Sequence, residues 1–433
     1  MKVFLSLLIL YSGFLASFFL NKFLIKNLAL DGLGDFNVGI SVAAILSVIA
    51  VFGGHSLAHH FVPRYLSEDK WPHICGFIRH HITMAGLSSA AIAVVALGLI
   101  GGFAYFEMTD QLHEAVTASL LTPFFAVTLF FGHVIQSMGR PVAALYPYEI
   151  MRPLLFWLGC LIWLQIFPDI DEFGAMLMLA VALCLCILVQ YVTISRALPV
   201  PITCADPAYE KAAWNNTGIP LLWTALTTSF LPRINLLSLE VLHPVEASVG
   251  IYTLLLFLPS IIWLNFHAMN AVIRPRIIKM VGNTASLQQQ FNQSTQILFA
   301  CNILTAGIMI VFARPILGWF HKDLLPYEGW LVFLLLSACL SSIAELAGPF
   351  LSLNGHHRKS AKLNSGLVAI NLVVAPVCVY FFGLEGAICS LVGIRFTRSL
   401  ASYSLLYRHV TIKPWLALDI SSTLAARKGL SPR

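Results

Sequence analysis

Charges inside long apolar runs are the residues of this sequence most able to do chemistry, because a charge in hydrocarbon is expensive and persists only where something compensates it. Lys22 stands deep in the first apolar run, and Lys26 follows one helical turn later on the same face. Arg233 occupies the matching depth of a run half a chain further on. An arginine grips an anion such as phosphate through two parallel hydrogen bonds, whereas a lysine acts as a point charge. The three are therefore candidate substrate-binding cations, although at about 1.5 Å per residue position 22 is also placed to snorkel into outer headgroups. Arg64 and Arg274, at the inner ends of the second and eighth runs, are candidate access-site cations that topology alone also explains.

Carboxylates are fewer. Asp35 and Glu246 open the second and eighth runs, where an acid complements a helix dipole or, for Asp35, gates against Lys22 or Lys26. Glu345, Arg395 and Arg398 fall within apolar runs, with the two arginines three apart on one face and Arg398 near the depth of Glu345. That arrangement reads as a structural ion pair or as a gating or ion-coupling site. Glu149 and Arg152 permit a similar pairing. His55 and His59 share a face, but the stretch His55-Ser-Leu-Ala-His59 carries serine where a helical metalloprotease motif has glutamate, so no metal is expected. With His60, His133 and His267 these rings suit proton sensing or hydrogen bonding to sugar hydroxyls. No phosphate-binding loop is present, so neither nucleotide hydrolysis nor any cofactor is expected. Cys160, Cys184, Cys186, Cys301, Cys339, Cys378 and Cys389 lie in apolar stretches without zinc-site or redox spacing and read as small buried hydrophobes.

The elements that position these residues are membrane helices. The 433 residues are 58% hydrophobic and only 11% charged, with a mean hydropathy of +0.82, too apolar for a soluble protein of this size. Spans are predicted near 3–29, 36–62, 77–104, 113–138, 142–166, 173–196, 213–239, 246–272, 291–312, 329–353, 362–382 and 385–408, each near the roughly 20 residues that cross a bilayer. The run after Lys2 continues past Leu20 without a cleavage site and reads as the first span. One set of alternate loops holds Arg64, Lys70, Arg79, Arg140, Arg152, Arg196, Lys211, Arg274, Arg276, Lys279, Arg358, Lys359 and Lys362. The other holds only Arg314 and Lys322 among its cations and carries the acids of 31–35, 107–114, 169–172 and 240–246. The basic set is assigned to the cytoplasm, and both termini fall on that side. The net charge of +6 is dispersed over these loops and does not point to nucleic acid.

Self-similarity at an offset of roughly 211 residues divides the chain into halves of six spans. Asp35-Phe-Asn-Val-Gly-Ile40 reappears as Glu246-Ala-Ser-Val-Gly-Ile251, and both open spans that close on Pro63-Arg64 and Pro275-Arg276. Ser137-Met-Gly-Arg140 falls near Leu353-Asn-Gly-His356, and Glu172-Phe-Gly-Ala175 matches Leu384-Glu-Gly-Ala387. The same offset relates Lys22 to Arg233. Six spans is an even number, so the repeat is parallel. The expected fold is all-α integral membrane, about 12 transmembrane helices in two parallel six-helix bundles around a central cleft: 1–200, a cytoplasmic linker 201–212, 213–410 and a cytoplasmic tail 411–433.

Over nearly the whole chain the sequence resembles the multidrug/oligosaccharidyl-lipid/polysaccharide flippase superfamily, in its polysaccharide (O-antigen) branch. The likeness rests on Phe18 to Asp35, Phe36 to Ser47, Phe61-Val-Pro-Arg-Tyr65, Gly348-Pro-Phe-Leu-Ser-Leu-Asn-Gly355 and Phe382-Gly-Leu-Glu-Gly-Ala387. It implies a flippase, not an enzyme, that carries a polyprenyl-diphosphate-linked oligosaccharide across the bacterial cytoplasmic (inner) membrane for surface polysaccharide synthesis. The partners it implies are that glycan lipid, membrane lipids and a glycan polymerase or other envelope-assembly proteins. Spans one and seven would then border the cleft, letting Lys22 and Arg233 reach one diphosphate from both sides. The competing reading is a cation-coupled multidrug antiporter of the same fold, which needs an intramembrane acid. Spans one, two, seven and eight have none in their middles, which favours an anionic substrate. A polyprenyl-dependent membrane transferase would need acidic motifs or a large loop, and the loops here are short.

Overall fold

A segment crossing hydrocarbon must satisfy its own backbone donors and acceptors, and long runs of Leu, Ile, Val, Phe and Ala do so as helices. The computed structural model describes residues 2–106, 114–199, 206–243, 245, 247–280 and 282–418. Glu107, residues 201–205 of the linker, Glu246 and the tail beyond 418 lie outside the described residues. The described residues form α1 Lys2–Ala50, α2 Gly54–Ser67, α3 Trp71–Tyr105, α4 Glu114–Ala118, α5 Thr122–Ser137, α6 Pro141–Tyr146, α7 Arg152–Ile166, α8 Glu172–Ala197, α9 Lys211–Phe230, α10 Ile234–Leu242 and α11 Ala247–Phe257. They continue with α12 Ser260–Met280, α13 Thr284–Val311, α14 Ala313–Phe320, α15 Glu328–Glu345, α16 Ala347–Leu351 and α17 His357–Val410. A 3-10 turn at Ser119–Leu121 joins α4 to α5, and π-helical turns occupy Pro147–Met151 and Ser352–His356.

Nine helical stretches among the described residues are long and apolar enough to cross a bilayer, and the chain is a multi-pass membrane protein. Two of them, Leu5–Ala50 with 46 residues and Arg358–Val410 with 53, are about twice the length one crossing needs. Each is broken. Ala29 takes φ 59°, ψ −171° at the predicted end of the first span, and Gly383 takes φ 55°, ψ −131° between the two predicted last spans. At Gly383 the flanking helices fold back on one another: Gly386 lies so close to the carbonyl of Cys378 that no side chain fits there. In a straight helix positions eight apart are about 12 Å apart.

Three spans expected to be continuous are interrupted. The second is cut at Val51–Gly53, where Phe52 and Gly53 take φ 52° and 74°, and restarts as α2. The seventh turns at Leu231–Arg233, where Pro232 cannot donate to the helix. The eighth turns at Leu258–Pro259 for the same reason.

The chain divides into two compact units, Met1–Gly250 and Ile251–Arg433. In the first, α9 packs on α1 and α2, and the core gathers Phe61, Tyr65, Phe77, Phe130 and Trp214. In the second, α13, α15, α16 and α17 enclose Leu287, Phe291, Leu298, Phe350 and Leu406. Gly53 holds the interruption of the second span against α9, since a side chain there would press on the Gly218 carbonyl and on Leu222. We expect Gly53→Val, which adds both a left-handed β-branched residue and overpacking, to lower stability by about 2–4 kcal/mol. Thermal unfolding of the purified protein in detergent measures it, and an unchanged midpoint would contradict the tight contact.

Candidate functional site

The cations singled out by sequence are mostly committed to local partners. Arg233 sits in the turn that breaks the seventh span and caps α10. Its Nη1 donates to the Ser229 carbonyl at 2.6 Å and to Ser229 Oγ at 3.1 Å, so the guanidinium satisfies a carbonyl that the Arg233 N–H, turned onto Phe230, leaves without its helical donor. Arg64 is exposed at the end of α2, and its Nε donates to Glu68 Oε1 at 3.2 Å. Lys70 reaches the other oxygen of Glu68 at 2.6 Å. Lys70 first, and Arg64 second, hold that carboxyl below the usual carboxylate range. Arg274 is exposed and donates to Asn270 Oδ1 at 3.1 Å. Lys22 is half-buried and Lys26, one turn on, is exposed; Asp35 is half-buried beyond the Ala29 break.

Glu345 and Arg398 are brought together. Arg398 Nη2 lies 3.0 Å from Glu345 Oε2, with the two side chains 31% and 18% exposed. The pair closes the end of α15 on α17. Arg395, one turn before Arg398, stands over the Trp263 ring at 5.6 Å and feels Tyr252, Glu345 and Arg398 electrostatically. A second polar group of the same unit crosses three helices. Asn265 donates to Asn302 Oδ1 at 3.0 Å and to Thr305 Oγ1 at 3.1 Å, and Asn302 donates to Ser342 Oγ at 2.6 Å. Sequence reasoning weighed charges and passed over these amides; their signal was an asparagine in each of two apolar spans, which hydrocarbon tolerates only when bonded.

The first unit holds two further constellations. Tyr65 Oη donates to Glu210 Oε2 at 2.8 Å and accepts from Trp214 Nε1 at 2.9 Å, while His73 Nε2 lies 3.4 Å from Glu210 Oε1. This network ties the end of α2 and the start of α3 to the start of α9. Its members are too far apart in sequence to be matched by periodicity. Beside the interruption of the second span, His55, His59 and His133 stand ring to ring, with centroids 5.3 Å apart for His55–His133 and 4.9 Å for His59–His133. No group of three metal-ligating side chains forms a metal site among the described residues. An apolar cavity of about 470 Å³ between α1, α3 and α4 is lined by Val42, Leu46, Ile92, Val95, Leu99 and Val116; it offers shape without polar specificity.

No protein-family model matches the sequence, and no curated protein matches it. Solved structures do. An inward-facing multidrug resistance MATE family transporter of the MOP superfamily superposes with a TM-score of 0.68 at 15% identity, covering 88% of this chain and 93% of that one. An outward-facing MATE family transporter gives 0.66 at 14% identity, covering 95% of each chain. The MATE multidrug transporter DinF-BH, solved in complex with a ligand, gives 0.66 at 14%, covering 94% of each. The fold is that of MATE transporters.

This overturns the polysaccharide-branch resemblance and the lipid-linked oligosaccharide flippase it implied. The matched motifs sit at helix turns and close packing contacts: Gly355 takes φ 85°, Gly386 abuts Cys378 and Arg64 follows a proline in a helix end. Such positions serve the fold and carry no substrate information. The preference for an anionic substrate rested on spans one, two, seven and eight alone. Carboxylates do lie inside the membrane helices, Glu149 in the π-helical turn of the fifth span and Glu345 at the end of the tenth, and Arg233, Arg64 and Arg274 have acceptors of their own.

Removing one member of the Glu345–Arg398 pair strands the other charge. We expect Glu345→Gln and Arg398→Gln each to cost about 3–5 kcal/mol and the double substitution to cost clearly less than their sum. A double-mutant cycle on thermal unfolding measures it, and additive losses would show that the two do not form a unit.

Proposed function

We propose that the chain is a twelve-span secondary antiporter that exchanges an amphipathic organic solute for a cation across the cytoplasmic membrane of a bacterium, with both termini on the cytoplasmic side. The observation that carries this reading is the near full-length likeness to MATE transporters in both inward-facing and outward-facing forms. One of those neighbours, a multidrug transporter, was solved with its ligand in place.

The span count supports it. Nine stretches qualify by length and hydropathy, and two are double-length and broken, which makes eleven crossings; α9 with α10 is the twelfth. The two halves, 1–200 and 213–410 with linker 201–212 and tail 411–433, keep matched devices. Gly39 and Gly250 both sit where another element leaves no room for a side chain, and Gly174 and Gly386 both sit at close contacts. Gly139 and Gly355 both turn with positive φ, 75° and 85°. Breaks at corresponding places in the second and eighth spans are the usual mark of a transport site in repeat transporters. Asp35 and the Glu345–Arg398 pair are assigned to gating or ion coupling on this reading.

An antiporter binds its solute and its ion in competition, and linkage makes each weaken the other. Ethidium, a fluorescent organic cation, should bind the purified full chain saturably, and its affinity should fall when sodium or proton concentration is raised. Absence of saturable binding, or binding indifferent to both ions, would contradict the proposal.

A further inference from the structure

The interruption of the second span leaves α2 starting at Gly54, and the first residues after the break carry imidazoles. His55 is buried one residue into α2, with its Nδ1 buried and without a hydrogen-bond partner. His59 follows one turn later and is exposed. From α5, His133 reaches across to both. From α3, His81 lies against Gly54 itself, so close that a side chain at 54 would strike the ring.

The hydrogen bonds order these rings into a directed chain. Ser137 Oγ donates its proton to the His133 carbonyl at 2.7 Å, so the same oxygen accepts from His59 Nδ1 at 2.9 Å. His59 is then protonated on Nδ1, and its Nε2 accepts from His133 Nδ1 at 2.8 Å. A neutral imidazole carries one proton, so His133 Nε2 is left as the open acceptor of the chain. Among the described residues, the groups that act electrostatically on His133 are imidazoles. His55 and His59 are the electrostatic partners of His133, and His55 also faces His81. His80 on α3 pairs electrostatically with Lys211 of α9, while α9 presents the Trp214 indole to His80 and His81. His60 turns away onto Phe61, and on α2 the charges Arg64 and Glu68 satisfy each other at the helix end. From α8, Gln190 presents an amide that donates to the Thr128 carbonyl of α5.

We propose that His133 and His59, bridged by Ser137, form a single-proton coupling site at the broken second span. A proton taken up at His133 Nε2 makes an imidazolium shared along the chain. No second proton follows, because the like charge would lie one hydrogen bond away. The imidazolium also faces His55 and the positive end of the α2 dipole. The proton affinity of the pair therefore depends on the α2–α5 contact, and a conformation that parts α2 from α5 changes it. That difference in proton affinity between two arrangements is what allows a proton to drive a conformational cycle. The inference deepens the antiporter reading by naming its ion and the place where the ion binds.

The test uses the full-length protein in detergent with ¹⁵N-labelled histidine, comparing wild type with His133→Gln, His59→Gln and His60→Gln. In wild type and His60→Gln, the His59 and His133 nitrogens should move together in one pH step, and that step should vanish in the other two variants. In lightly buffered solution, ethidium binding should release a proton from wild type and His60→Gln and from neither of the others. If His59 and His133 titrate independently, or the shared step survives in His133→Gln, the coupling site is wrong. If the shared step is present but ethidium does not bind, the proton site stands and the solute assignment falls.

Discussion

The structure depends on one constraint: in hydrocarbon a backbone N–H or C=O left without a partner has no water to turn to. Uninterrupted helix meets it by default, so every interruption needs local compensation. At Leu231–Arg233 the compensation is a charge, with Arg233 donating back to the Ser229 carbonyl. At Val51–Gly53 it is compact geometry: Phe52 N–H bonds to Ile49, Gly54 N–H to Val51, and α9 lies directly against the glycine. At Gly383 a single residue suffices because a glycine with positive φ lets the next helix fold straight back. Arg233 and the His55, His59 and His133 rings lie at two of these points.

Buried polar chemistry is distributed unequally between the two units. The first gathers aromatic and imidazole groups around the interrupted second span, with Trp214, Phe77, Phe130 and His81 in mutual contact. The second gathers amides and an ion pair, Asn265–Asn302–Ser342 and Glu345–Arg398. Both sets of contacts are made within a unit.

Much of this was legible in the sequence, and the limits have physical causes. Hydropathy located the spans, and the predicted boundaries fell close to Ala29 and Gly383, where the helices break. The matched glycines were visible as a repeat because tight turns and close helix contacts exclude other residues. Depth counting brought Arg398 to Glu345. The interruptions within the second, seventh and eighth spans were hidden, because Pro232 and Pro259 looked like ordinary membrane prolines and a broken span stays apolar throughout. The chain from Ser137 through His59 to His133 joins α2 to α5, a pairing that a linear pattern does not encode. The polysaccharide-branch resemblance failed because residues that shape the fold were read as residues that choose the substrate.

The central claim is that this fold performs ion-driven antiport of an organic solute. The most direct measurement reconstitutes the full chain in liposomes loaded with ethidium and imposes an inward proton or sodium gradient. The account predicts that ethidium leaves against its own concentration gradient only while an ion gradient lasts. Movement only down its own gradient, indifferent to both ions, would contradict it.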